Sequence, residues 1–346
     1  MNQEFKHFLE LSKQERQDVF EAEAENLDTR SSYVEKDFWV CLVLDILYNG
    51  FNFDHPRLLF KGGTSLSKGY SLINRFSEDV DFTVFSKDIG FDESKDPTTP
   101  EISGKERKRR SENIMEATSK YICNKLRQDL EAIASTLAPE CNVITDTEDR
   151  DKSTLLFHYP SLFAEGTDAY IQPRVKLEGG GRSALDPHEQ LIIKPFINQI
   201  LSDRDFSIPN IITIRPERTF WDKVMILHGW YCGHRDEGRL PSDRQRISRH
   251  YYDVAMIYKT EFGLKAISDP KLRENVHQHN QLFFNKAWMK FDQAIPGSFH
   301  LVPEGKLLQT IKKDYQDMQG MMLGNAPKFE TIVEELKNLE IAINED

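Results

Sequence analysis

Cysteine is scarce and scattered: four occur in 346 residues, Cys41, Cys123, Cys141 and Cys232, with no C-x-x-C pair. That spacing argues against a disulfide framework or a zinc site and leaves buried free thiols as the expectation. Long apolar runs are missing too. The longest, Phe38 to Tyr48, is shorter than a membrane span and is interrupted by Asp45. The N-terminal MNQEFKHFLE lacks a basic head followed by an apolar core, so no secretory signal, no membrane partner and a cytoplasmic location are expected. Positive charge is in deficit. With 45 Lys and Arg against 56 Asp and Glu the net charge is −11, which argues against a surface coated for nucleic acid. Local basic patches still act within a Debye length, about 8 Å at physiological salt. Two exist: Lys105 to Arg110, and His234 to His250 with Arg235, Arg239, Arg244, Arg246 and Arg249. Each is either a solvated helix face or loop, or a basic mouth for a nucleic-acid end. The rest is ordinary, with 39% hydrophobic residues and enough length for two domains.

What the chain does have is concentrated between Leu58 and Phe85, LLFKGGTSLSKGYSLINRFSEDVDFTVF. A short apolar run breaks at Gly62-Gly63, which predicts a tight turn. Thr64 and Ser65 then open a segment with Leu66, Tyr70 and Ile73 at helical spacing, so their hydroxyls and the first free amides are expected where an anion would bind. After Arg75 the pattern alternates strictly. Asp79, Asp81 and Thr83 share one face of a strand, and Val80, Phe82 and Val84 the other. Two carboxylates on one face repel unless a cation lies between them, and Mg²⁺ is the usual hard cation that bridges carboxylates and phosphates. Either half alone is commonplace, a turn or a solvated acidic strand. Together they point to nucleotidyl transfer.

Elsewhere the periodicities predict helices up to about Asn26, with Phe5, Phe8, Leu9, Leu11 and Val19 inward. A second helix is expected over Tyr33 to Tyr48, entered through a Ser32–Glu35 capping box. Lys36 on that helix reads as solvated or as aimed at phosphate. A polar loop follows Phe85, and a long helix with Leu126, Leu130, Ile133 and Leu137 ends at Pro139. Cys141 to Thr147 and Leu155 to Tyr159 read as an antiparallel pair extending the sheet. In Tyr170 to Glu178 the polar residues Gln172, Arg174, Lys176 and Glu178 share one face, and Pro173 suits an edge strand or bulge. Leu191 to Leu201 is apolar but broken by Pro195 and receives no assignment. From Pro216 the chain is helical again, with Phe220, Val224 and Leu227 inward. Lys223 by itself reads as a surface lysine, and Arg249 with Asp253 as a surface i,i+4 ion pair. Beyond Lys259 a helical bundle is expected, its clearest stripe being Phe329, Ile332, Val333, Leu336 and Leu339.

GGTSL followed by RFSEDVDF resembles the first two motifs of the AbiEii/AbiGii-type nucleotidyltransferase toxins, a branch of the DNA polymerase beta-like superfamily. EKDFWV (35–40), RPERTFWDKV (215–224) and SRHYYDV (248–254) extend the resemblance over most of the chain. The resemblance implies an α/β (α+β) fold: a polymerase beta-like core with a small mixed sheet over residues 1–205, and a helical C-terminal lobe over 206–346. It implies Mg²⁺ held by Asp79 and Asp81 with Glu178 as third carboxylate. The nucleotide phosphates would be met by Gly62, Gly63, Thr64, Ser65 and Ser77, with Lys223 adding charge and Asp253 orienting it. The implied reaction moves NMP from an NTP to an acceptor hydroxyl such as a tRNA 3′ end, under restraint by an antitoxin. A protein hydroxyl as acceptor, or nucleotide binding without turnover, are the alternatives. Ser77 carries a further expectation, silencing by phosphorylation beside the carboxylates. It also reads simply as a turn serine.

Overall fold

The computed structural model describes residues 1–52, 54–163, 172–242 and 245–345. The chain divides into two units: residues 1–69 with 76–214, and residues 70–75 with 215–346.

The first unit opens with α1 (Gln3–Leu9) and α2 (Lys13–Asn26). Between them the Ser12 hydroxyl accepts the Glu15 amide while the Glu15 carboxylate accepts the Ser12 amide, a reciprocal cap. Phe5 and Phe8 bury fully against Phe38 of α3 (Ser31–Asp45), with ring centroids 5.4 and 4.9 Å away. Leu9, Leu11 and Val19 are only partly buried at its margin, and Phe20 joins the core instead. The expected capping box at Ser32 does not form. The helix begins at Ser31 behind Arg30 with no side-chain cap, and Glu35 is buried in other company. Every residue of α3 from Tyr33 to Asp45 is buried, so it is a central strut rather than a surface helix with one apolar stripe.

Among the described residues a seven-stranded sheet runs in the order β3-β4-β5-β2-β1-β7-β6. In chain order its strands are β1 (Leu58–Lys61), β2 (Asp79–Val84), β3 (Asn142–Thr145), β4 (Thr154–His158), β5 (Arg174–Gly180), β6 (His188–Ile193) and β7 (Ile208–Ile214). The expected β3–β4 antiparallel pair is present and reaches β2 through β5. β5 begins at Arg174, after Pro173, so the proline stands outside a central strand it could not have served as donor. Tyr170 and Ile171, expected at the start of that strand, lie outside the described residues. One face of the sheet, with Val80, Phe82, Val84, Phe60, Val175, Leu177 and Phe157, packs into a single core with α3. Each such side chain contributes about 1.5–3 kcal/mol on burial, so truncating Phe82 would cost about 3–5 kcal/mol.

α4 (Gly62–Thr64) is one turn after β1. α5 (Gly104–Tyr121) and α6 (Arg127–Leu137), joined by a π turn, form the long helix before β3. Its start lies well ahead of Ile122, and the basic run Lys105 to Arg110 lies on its first turns. There Arg109 and Arg110 pair with Glu106, and Arg110 also donates to the Asp96 carbonyl at 3.0 Å. The second unit holds α7 (Pro216–Glu237), α8 (Ser248–Tyr258), α9 (Glu261–Ile267), α10 (Pro270–Phe283), α11 (Gly305–Met318) and α12 (Phe329–Asn344). Pro216 takes the first helical position of α7, as its fixed φ favours. The stripe of α12 is buried at Phe329, Ile332, Leu336 and Leu339, with Val333 half-buried. No described helix is long and apolar enough to cross a membrane.

Candidate active site

β2 carries Asp79 and Asp81 on the sheet face opposite its core residues, as the alternation requires. β5 runs parallel beside it, with Asp79 opposite Lys176 and Asp81 opposite Glu178. On the other side Lys61, the last residue of β1, lies opposite Asp81. Burial pushes the Asp79 carboxyl up to about 7, and the negative charges of Glu78, Asp81 and Glu178 push in the same direction against the opposing Lys36. Four acids are thus close enough to repel.

The turn is built around Asp81. Gly62 adopts φ +79, and a Cβ there would fall 2.0 Å from Asp81 Oδ2. Only glycine permits both the backbone angle and that approach. Thr64 and Ser65 are fully buried and their hydroxyls are committed internally, contrary to the expectation that they face an anion. Ser65 Oγ donates to the Gly62 carbonyl at 2.9 Å, and the Thr64 hydroxyl bonds the Ser77 hydroxyl at 2.9 Å and the Asp79 carbonyl. With so short a helix, these hydroxyls satisfy buried backbone and tie the turn to the entrance of β2. Ser77 is half-buried in that tie.

The donor set of this face is all hard oxygen, the type that takes Mg²⁺, Mn²⁺ or Ca²⁺. Asp79, Asp81 and Glu178 fit such an ion by chemistry and by strand register. As they stand, no three His, Cys, Asp or Glu side chains among the described residues are gathered closely enough to chelate one. Glu178 is instead bonded to the Lys176 ammonium, two residues away on the same face.

Lys223 and Asp253 fall in the second unit. Lys223 on α7 is buried, its Nζ 3.0 Å from Asp253 Oδ2 and 3.2 Å from His250 Nδ1. Asp253 on α8 is wholly buried rather than on the surface beside Arg249, and it also takes a two-pronged pair from Arg75: Nε to Oδ1 at 2.8 Å and Nη2 to Oδ2 at 2.9 Å. Burial alone would raise the Asp253 carboxyl, but Arg75 and Lys223 hold it well below the usual carboxylate range. Burial and the neighbouring cations depress His250, which keeps the ring neutral. The surface readings of Lys223 and Asp253 are therefore wrong; both are interior, and Lys223 and Arg75 are the two cations that meet on the one Asp253 carboxylate.

The local pattern gave Arg75 and Glu78 no role, and placed Lys176 only on the polar face of its strand. Lys36 is buried, with Nζ 2.6 Å from Glu78 Oε2 and 3.2 Å from the Gln172 carbonyl, so the solvated reading fails as well. The signal was present: Glu35-Lys36-Asp37 are three successive charges directly before the apolar run Phe38 to Leu44, and charges in such a place need partners.

No protein of curated function shows significant sequence similarity to the chain. Among solved structures, MenT4, a nucleotidyltransferase toxin from Mycobacterium tuberculosis H37Rv, aligns with 14% identity over 86% of this chain and 98% of that one, at a TM-score of 0.35. That likeness is too loose to carry residue roles across. The family model of the nucleotidyl transferase AbiEii toxin of type IV toxin–antitoxin systems matches residues 45–335, and the chain belongs to that family of nucleotidyltransferases.

Proposed function

We propose that this nucleotidyltransferase moves NMP from an NTP to the 3′ hydroxyl of an RNA such as tRNA, with Mg²⁺, in the cytoplasm, and that the antitoxin its family implies restrains it. The observation that carries the catalytic assignment is the placement of Asp81: opposite Glu178 in β5, two residues along one face from Asp79, with Gly62 leaving room for its carboxylate. Asp79 and Asp81 would hold the ion, and Glu178 would join them on release from Lys176. A bound hard cation neutralises phosphate charge and aligns the attack. The acceptor hydroxyl gives up its proton to solvent water, its oxygen bonds to the α-phosphorus as the bond from that phosphorus to the bridging oxygen of the β-phosphate breaks, and pyrophosphate leaves with that electron pair. The Gly62-Gly63 turn supplies backbone room beside the carboxylates. Lys223, held by Asp253, supplies positive charge for phosphate. The nucleophile belongs to the acceptor, so neither a reactive cysteine nor a Ser-His pair is needed.

RNA as acceptor is favoured by the arginines between His234 and His250. Of these, Arg235 and Arg239 lie exposed beside acids, and Arg244 lies outside the described residues. The test incubates the chain with Mg²⁺, each α-32P-labelled NTP and total RNA. Label in a tRNA-sized, RNase-sensitive band, abolished by prior periodate oxidation of the RNA 3′ ends, is the expected result. Label on a protein band would replace RNA with a protein hydroxyl, and NTP binding without label would leave a binding module.

A further inference from the structure

Three successive charges of α3 are each tied to a different segment of the first unit. Glu35 accepts the Ser161 hydroxyl at 2.6 Å and the Leu162 amide at 2.7 Å. Asp37 pairs with Lys68 at 2.8 Å and accepts the Phe196 amide at 2.6 Å, and the Lys68 ammonium lies 3.8 Å from the centroid of the Phe196 ring. Between them Lys36 bonds Glu78 and the Gln172 carbonyl. Its two partners have a common position. Glu78 is the residue before Asp79, where β2 begins, and Gln172 lies two residues before Arg174, where β5 begins.

β2 and β5 are parallel neighbours, and parallel pairing gains no register from a tight connecting turn. A slip of one residue would turn Glu178 to the core face and separate it from Asp81. One buried ammonium thus fastens the entrances of both strands in the register that sets Asp81 opposite Glu178. We infer that Lys36 is a positioning residue for the carboxylate face: through Glu78 and the Gln172 carbonyl it fixes where Asp79, Asp81 and Glu178 stand. The inference rests on the reading above, in which those carboxylates hold a hard cation.

Electrostatics and positioning predict opposite signs. Removing the Lys36 ammonium takes a positive charge from beside four carboxylates, which by itself tightens cation binding. Loss of a positioning partner weakens it, by about 10- to 100-fold where such outer contacts have been removed. The probe is Tb³⁺ titrated by luminescence into the full chain without nucleotide, with circular dichroism as the folding control. K36M should bind Tb³⁺ more weakly than wild type. Because K36M takes the buried ammonium from beside Glu78 and so threatens folding, the decisive variant is K36M/E78M. It loses one charge of each sign and leaves no orphan of the pair, an exchange that buried ion pairs often tolerate.

A folded K36M/E78M with Tb³⁺ affinity about 10-fold or more below wild type, and K36R close to wild type because a guanidinium still serves both partners, is the expected outcome. Unchanged affinity in K36M/E78M, or tighter binding in K36M, overturns the positioning role. Asp81→Asn separates the two levels. If it loses Tb³⁺ while K36M/E78M does not, only the Lys36 inference falls; if Asp81→Asn binds as wild type, the cation site falls and the inference with it.

Discussion

Gly62 and Asp253 are the residues whose replacement says most. Alanine at position 62 meets both a left-handed φ and the Asp81 carboxylate. Gly62→Ala is expected to cost about 1–2 kcal/mol of stability, read by urea unfolding. By displacing Asp81 it should lower nucleotidyl transfer about 100-fold, read as label incorporation. Asp253 is the single carboxylate between the buried Arg75 and Lys223 cations, so Asp253→Asn should cost about 3–5 kcal/mol. Lys223→Met leaves the two-pronged Arg75–Asp253 pair intact; it should change stability by no more than about 1–2 kcal/mol while removing activity. Equal destabilisation by both variants would contradict this arrangement. The sign with pH follows from the depressed Asp253 carboxyl: its stabilisation is present above the ordinary aspartate range and is lost as pH falls through the lowered folded value. At this scale Asp79, Asp81 and the Gly62 turn were legible because alternation and glycine are local signals. The Thr64 and Ser65 hydroxyls were misread, and Arg75 was missed. Which backbone oxygen a hydroxyl satisfies, and which carboxylate 178 residues away an arginine meets, are tertiary facts.

Among the elements, α3 shows how burial overrides a local pattern. Its expected capping box fails because Glu35 is drawn to Ser161 and Leu162. Burial raises the Glu35 carboxyl to about 7, with those two hydrogen bonds opposing. A carboxyl raised in the folded state contributes stability that is complete below its unfolded value, about 4.5, and is lost as pH rises through 7. Glu35→Gln removes that titration. The variant should therefore match wild type near pH 5 and gain on it by about 2–3 kcal/mol near pH 8, at about 1.4 kcal/mol per pKa unit. Parallel melting curves in Glu35→Gln and wild type across that range would contradict the burial of a titrating carboxyl. The β7–β6 end of the sheet was the least legible part. Ile208–Ile214 contains Pro209 and Asn210 at φ +65, and its pairing with β6 shifts register between Leu191 and Ile193. Those features erase the two-residue period on which a strand is recognised. β3 and β4, short strand-like runs across a charged turn, were readable as a pair.

For the whole molecule, the motif order within 58–85 conveyed the reaction class, and the family match over residues 45–335 supports it. Composition conveyed much less. The net charge of −11 does not reveal that arginines on α5 are taken up by Glu106, or that interior cations cluster on Asp253. In the proposed reaction the acidic face of β2 and β5 is where the α-phosphate reacts. The most direct test compares wild type and Asp81→Asn in single-turnover transfer of α-32P label in the presence of Mg²⁺, at equal circular dichroism and melting temperature. Transfer should fall about 100-fold or more, the scale of losing one preorganised charge-stabilising group. Transfer at the wild-type rate by a folded Asp81→Asn would contradict the assignment of this face as the catalytic centre.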